Sequence, residues 1–257
     1  MQKLSFNLSL SLALLISTLL IAFKFPDYKK INIVFIGDSI TQGADNKVEY
    51  QPSVYAINYL RNKLPAVTIN QANAGVSGRT TLDFLPGQPD FNKAAKAADT
   101  LYTDKDAQLL FSIMLGTNDS AMQGPHGAPV APQNYKRNLS IIIDTLLQRY
   151  PNSKIVLNHP IWYSPNTYNG AMYLAEGLAR LQTYFPEIDG LVKSYKLTNP
   201  GHVFIGDKAG FTYSKKNYTD VFKQEQGRQG IFYLHPNEQG ASGLGALWGK
   251  AIYKVLK

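Results

Sequence analysis

Three short polar stretches of this chain, each holding glycine, come directly after apolar runs. Gly37-Asp38-Ser39-Ile40-Thr41 follows Ile31–Ile36, Asn73-Ala74-Gly75-Val76-Ser77-Gly78 follows Val67–Ala72, and Gly116-Thr117-Asn118-Asp119 follows Leu109–Leu115. Between them they offer a hydroxyl, exposed backbone N–H groups and a side-chain amide. Acyl transfer needs those parts, a nucleophile and donors for the oxyanion that forms on attack. It also needs a base. His235 stands in Leu234-His235-Pro236-Asn237, just ahead of the last amphipathic stretch.

The elements that must position these residues are legible in outline. The three apolar runs, with Lys154–Asn158 and His202–Ile205, are short and rich in β-branched residues, as buried parallel strands are. Helical spacing lies between them. Pro52 suits a first helical turn ahead of Val54, Ile57, Leu60 and Leu64; Leu139, Ile142, Ile143, Leu146 and Leu147 share one face until Pro151. Met172, Ala175, Leu178 and Leu181 mark a further helix. The last carries Leu244, Leu247, Trp248, Ala251, Ile252 and Val255 on one face, with Asn237 as its cap. Strands alternating with helices predict a parallel sheet covered on both faces, in one domain over residues 31–257. Sites in such sheets form at the carboxyl ends of strands, so all three polar turns fall on one edge. Residues 119–134 and 206–234 are the long irregular stretches, where function concentrates.

Gly37-Asp38-Ser39, Gly75, Gly116-Thr117-Asn118-Asp119 and His235-Pro236-Asn237 together resemble the ordered blocks of the SGNH (GDSL-like) hydrolase family. The resemblance covers essentially all of residues 31–257. It implies an α/β fold, a flavodoxin-like three-layer sandwich with a five-stranded parallel sheet, and a serine esterase mechanism with no metal or cofactor. By position, Ser39 would be the nucleophile and His235 the base. The oxyanion hole would be the Ser39 and Gly75 N–H groups and the Asn118 amide. Glycine suits such a place, since a side chain would crowd the substrate.

One departure is plain. The family usually has Asp three residues before the histidine, where this chain has Phe232. The expectation is therefore a Ser–His dyad whose imidazole is oriented by the Phe232 carbonyl, with Asp207, Asp220, Glu225 and Glu238 as alternative sources of a carboxylate. Asp38 and Asp119 are expected to brace their turns. Ser77 and Ser242 are rival nucleophiles, but neither fits G-x-S-x-G. His159, Trp162 and Tyr163, after the fourth strand, are candidate substrate-binding residues, as is Arg79. His126 is a candidate in the 119–134 loop, and the aromatic and amide residues from Trp162 to Tyr173 suit a sugar ring. His202 lies at the opposite end of the sheet and is expected to be structural.

The wider composition sets the boundaries. The chain has 257 residues, no cysteine, 44% hydrophobic residues and only 17% charged ones. A chain of this size buries enough surface to need no covalent staples. Zero cysteine excludes disulfides, thiolate zinc sites, iron–sulfur clusters and a Cys nucleophile, and no His/Asp/Glu spacing suggests a metal site. Lys3 precedes an apolar stretch, Leu4–Phe23, with signal-peptide proportions. Residues 1–22 are expected to be a cleaved export signal, or alternatively a membrane anchor, with 23–30 as a linker. The expected location is periplasmic, extracellular or tethered to the outer face of a membrane. The net charge of +8 is scattered, without a basic run or a recognition motif, and argues against a nucleic-acid partner.

The expected function is an exported esterase that removes acetyl or similar small groups from a carbohydrate. The alternatives are a lipid esterase of lysophospholipase or thioesterase type, which differs only in its pocket, and a glycan-binding module on an inactive hydrolase fold.

Overall fold

A computed structural model describes residues 28–124 and 126–257. The expected export segment, and the linker as far as residue 27, lie outside the described residues. Five strands form one parallel sheet: β1 (Lys30–Gly37), β2 (Thr68–Asn73), β3 (Gln108–Met114), β4 (Lys154–Leu157) and β5 (Val203–Ile205), in the order β2-β1-β3-β4-β5. Parallel neighbours need crossovers, and helices supply them. α1 (Ser39–Gln42), α2 (Pro52–Lys63), α3 (Pro89–Leu101), α4 (Pro132–Arg149) and α5 (Leu174–Thr198) lie between or after the strands in turn. After β5 come α6 (Gly210–Lys216), α7 (Tyr218–Val221), a two-stranded hairpin of β6 (Glu225–Gly227) and β7 (Gly230–Phe232), and α8 (Glu238–Leu256). The α/β sandwich and the five-stranded parallel sheet stand as the sequence predicts, with strand ends shifted by a residue or two.

Each sheet face has its own core. Along β1, Val34 and Ile36 point into the layer built with α3, α4 and α5, while Ile31, Ile33 and Phe35 point into the layer built with α2 and α8. That alternation is the period of two of a strand whose both faces are covered. Trp248 of α8 stacks on Phe35, ring centroids 6.0 Å apart. α8 lies against α2 so closely that a Cβ at Gly245 would come 2.3 Å from the Pro52 carbonyl oxygen. α3 is the helix the sequence reading did not assign. Its buried face is Phe91, Ala94, Ala95 and Ala98, and the small alanines give a weak apolar stripe. Among the described residues no helix is long and apolar enough to cross a membrane.

Candidate active site

The order β2-β1-β3 places the first two crossovers on opposite faces of the sheet. A crevice therefore opens where β1 and β3 end side by side. Ser39 leaves β1 and Asn118 follows β3, so the topology brings them to that crevice.

The Ser39 turn is built from its neighbours. Asp38 is fully buried, and its Oδ1 accepts from the Ile40 N–H at 2.9 Å, capping the single helical turn α1 that Ser39 begins. Burial pushes the Asp38 carboxyl up to about 6. Asp119 is held in the same manner, accepting from the Thr81 N–H at 3.0 Å and the Thr81 hydroxyl at 2.5 Å, and burial pushes it up to about 7. Asp38 holds a backbone N–H of its own turn, and Asp119 holds a backbone N–H and a hydroxyl of the Thr81 turn, the bracing part read from the sequence.

His235 meets Ser39 across 196 positions of sequence, Nε2 to Oγ at 3.0 Å. The segment carrying it is pinned on both sides. The Lys223 N–H donates to the His235 carbonyl at 2.9 Å, the Asn237 N–H donates to the Val221 carbonyl at 3.0 Å, and Asn237 caps α8 by accepting from the Gly240 N–H. The expectation of a dyad oriented by the Phe232 carbonyl is corrected here. The imidazole Nδ1–H is held by the Glu225 carboxylate, at 2.8 Å from Oε2 and 3.0 Å from Oε1, and Oε1 also accepts the His235 backbone N–H at 3.1 Å. The physical reason is strand pairing. Gly227 and Gly230 flank a two-residue turn, and the antiparallel register sets Glu225 directly opposite Phe232. The acid has moved across the hairpin from the position where the sequence pattern looked for it. Phe232 itself is buried in the core. Asp207, another alternative, is occupied as a turn cap for the Ala209 and Gly210 N–H groups, at 2.8 and 2.9 Å.

Asn118 is buried and clamped at both ends of its amide. Nδ2 donates to the Arg79 carbonyl at 3.0 Å and Oδ1 accepts from the Tyr173 hydroxyl at 2.7 Å, which leaves the second Nδ2 hydrogen available. Gly75 departs from its expected place. Its N–H donates to Asn73 Oδ1 at 2.9 Å, so that donor is already taken. It lines neither cavity at Ser39. A Cβ there would lie 2.5 Å from the Gln42 backbone nitrogen, so the glycine lets the α1 turn approach the end of β2. Gly78, with a φ of 76° that disfavours any side chain, stands on the cavity wall instead.

A cavity of about 690 Å³ opens from Ser39 and His235. Gln123, Tyr168, Asn169, Met172, Tyr173 and Arg228 form much of its wall. A second, of about 300 Å³, lies on the other side of the same pair, bounded by Gln42, Asp45, Asn46 and Glu225. The stretch from Trp162 to Tyr173 is therefore split. Its second half lines the larger cavity, while Trp162 and Tyr163 are buried in the core, Trp162 against Phe222 and Tyr163 bonded to the Ser120 hydroxyl at 2.9 Å. Their expected substrate contact is corrected, because the chain leaving β4 stays inside the molecule until residue 165. His159 is corrected likewise. It is buried, stacked on Phe185, and bonded through Nε2 to Asp189 Oδ1 at 3.0 Å. Arg79 is drawn off by an ion pair, Nε to Asp90 Oδ2 at 2.6 Å, and by His126 Nε2. It reaches the site through its carbonyl on Asn118. His126 faces Asp83 and Arg79, and His202 bonds the Ser153 carbonyl at the far end of the sheet. Among the described residues no group of three or more His, Asp or Glu is arranged to hold a metal ion.

A hydroxyl, an imidazole and a carboxylate in line, beside a clamped amide, form the constellation of a serine hydrolase. The model of the GDSL-like lipase/acylhydrolase family matches residues 35–242. The chain belongs to this family. It is thus an ester-bond hydrolase, and its fold is shared by solved structures of low sequence identity. A carbohydrate acetylesterase from Sinorhizobium meliloti is 17% identical, with a TM-score of 0.57 over 88% of this chain and 99% of that one. An aryl esterase from M. smegmatis is 21% identical, with a TM-score of 0.56 over 88% and 99%. A Geobacillus acetyl-xylooligosaccharide esterase, solved as a mutant, is 18% identical, with a TM-score of 0.55 over 88% and 94%. No curated protein sequence matches the chain.

Proposed function

We propose that this hydrolase is an exported serine esterase that removes acetyl or other small acyl groups from a carbohydrate. The observation that carries the reading is the Ser39–His235–Glu225 line at the mouth of a cavity walled by amides and tyrosines. Ser39 Oγ attacks the ester carbonyl as His235 Nε2 takes its proton, and Glu225 stabilises the imidazolium. The oxyanion is met by the free Nδ2 hydrogen of Asn118 and the Ser39 N–H, with the Gly78 N–H in the part first given to Gly75. The sugar alcohol leaves with the proton from His235. Water, deprotonated by the same imidazole, then releases the acid from Ser39.

Two features favour a small acyl group on a sugar over a long-chain lipid. The cavity wall has only Ala171, Met172 and Leu234 as apolar side chains, too few for an acyl groove. Tyr168, Asn169, Gln123 and Tyr173 present flat rings and amides, which suit a ring of hydroxyls. Names among the fold's relatives include acetylesterases of carbohydrates. The apolar segment after Lys3 supports export, and contact with a membrane follows only if that segment is retained. Rates on p-nitrophenyl esters of increasing chain length, beside acetylated oligosaccharides, test the reading. Acetate is expected to be the preferred leaving acid, and preference for chains of eight carbons or more would overturn it.

A further inference from the structure

The larger cavity has an uneven charge. Among the described residues on its wall there is no Asp or Glu, and Arg228 is the one permanent cation. Arg228 forms no ion pair with any carboxylate among the described residues. A guanidinium left without a counter-ion beside a cavity is a ready receptor for a planar anion.

Its position is built. Arg228 occupies the two-residue turn of the β6–β7 hairpin, between Gly227 and Gly230. Its backbone N–H donates to the Tyr168 carbonyl at 2.8 Å, its Nη1 donates to the Tyr168 hydroxyl at 3.0 Å, and its guanidinium lies 4.9 Å from the centre of the Tyr168 ring. A Cβ at Gly227 would come 2.4 Å from the Tyr168 carbonyl oxygen, so the hairpin and the 164–173 segment lie in close contact. Asn166 fastens them further by donating Nδ2 to the Ile231 carbonyl at 2.7 Å, and the Ser164 N–H donates to the Tyr233 carbonyl at 2.9 Å. One Nη1 hydrogen is used on Tyr168, and the remaining N–H groups of the fork are left for a ligand.

We propose that Arg228 makes the cavity selective for esters whose alcohol portion carries a carboxylate, the chemistry of an acetylated uronic-acid sugar. This rests on the esterase reading above. The acyl group sits at Ser39, the sugar ring lies along Tyr168 and Asn169, and its carboxylate, or that of a neighbouring sugar, meets the guanidinium. The same hairpin thereby carries both halves of the device. Glu225 at its root orients the base, and Arg228 at its tip reads the substrate. A phosphate would also satisfy a guanidinium, but the apolar surface that a lysophospholipid chain needs is missing beside it.

The test compares acetate release from acetylated oligogalacturonate with release from the same oligomer after its carboxyls are converted to methyl esters, which removes the charge and adds one methyl group at each. The wild type is expected to favour the acid form by roughly tenfold or more in kcat/KM, as a charge-assisted hydrogen bond allows, and added salt should narrow the gap. In Arg228→Gln the ratio of the two rates should fall towards one, and in Arg228→Lys it should lie between. Each ratio is taken within one protein, so it is independent of how much total activity the variant keeps. Equal rates in the wild type, an undiminished ratio in Arg228→Gln, or faster cleavage of lysophospholipid than of the acid oligomer would overturn the proposal. Turnover of p-nitrophenyl acetate by the wild type separates the two levels. If it is present while the acid preference is missing, only the Arg228 assignment fails; if it is missing, the esterase reading fails with it.

Discussion

Two of the histidine–carboxylate pairs near the carboxyl ends of this sheet have different surroundings. His235 and Glu225 are 2.8 Å apart, His159 and Asp189 3.0 Å. The second nitrogen of His235 faces the Ser39 hydroxyl in an open cavity. The ring of His159 lies flat on Phe185, and Asp189 is shared with Lys208 at 2.6 Å. A carboxylate near a histidine therefore does not define a catalytic pair. What the other ring nitrogen meets, and whether a substrate can reach it, separates a proton carrier from a piece of core.

The contrast breaks most sharply at the nucleophile. Ser39→Ala should lower kcat by about 10⁴-fold or more on p-nitrophenyl acetate, with folding unchanged by circular dichroism. A smaller loss would place the reacting hydroxyl elsewhere. Next comes the pair of carboxylates themselves. Glu225→Gln should cost about 10³–10⁴-fold, since the amide removes the charge facing the imidazolium. Asp189→Asn should stay within about twofold, its ion pair being at the surface. Similar losses in both would erase the distinction. Asn118→Ala should cost about 10²–10³-fold as the removal of one oxyanion donor, read in kcat with KM little changed.

The smallest effect concerns His159. Burial pushes its imidazole below the ordinary 6.5, against the pull of Asp189. The unfolded chain then takes up the proton first on acidification, so this group costs stability as pH falls through about 6.5. His159→Phe should show a shallower loss of stability between pH 7 and 5, measured by urea unfolding, with turnover per folded molecule within about twofold. Asp38 and Asp119 act with the opposite sign. Their raised values give stability at acid pH that is lost as pH rises through about 6 and 7, so the variant must be compared with wild type at each pH. An unchanged slope would mean that His159 titrates freely.

The strands and the edge on which Ser39 and Asn118 gather are legible in the sequence, and the pairing of Ser39 with His235 follows from the resemblance of its blocks to the family. The strands depend on a local signal, a β-branched run closed by glycine. α3 was missed because its buried stripe is mostly alanine. Trp162, Tyr163 and His159 were assigned to the substrate because they follow a strand on the right edge, and residue type does not tell which way a chain turns after leaving a sheet. Gly75 takes its expected oxyanion role from its position in the family-like blocks, and the structure gives its missing side chain a different cause in the approach of α1.

The sequence by itself therefore determined the α/β architecture, because periodicity and strand-end turns are local, and its four family-like blocks pointed to Ser39 and His235 as the pair to look for. Only the tertiary structure decided which acid holds the base and which residues wall the cavity. Glu225 reaches His235 through the register of a short hairpin, and Arg228 reaches the cavity through a Tyr168 that is distant in the chain. Register and turn direction are fixed by contacts between segments far apart in sequence, and no spacing along the chain encodes them alone.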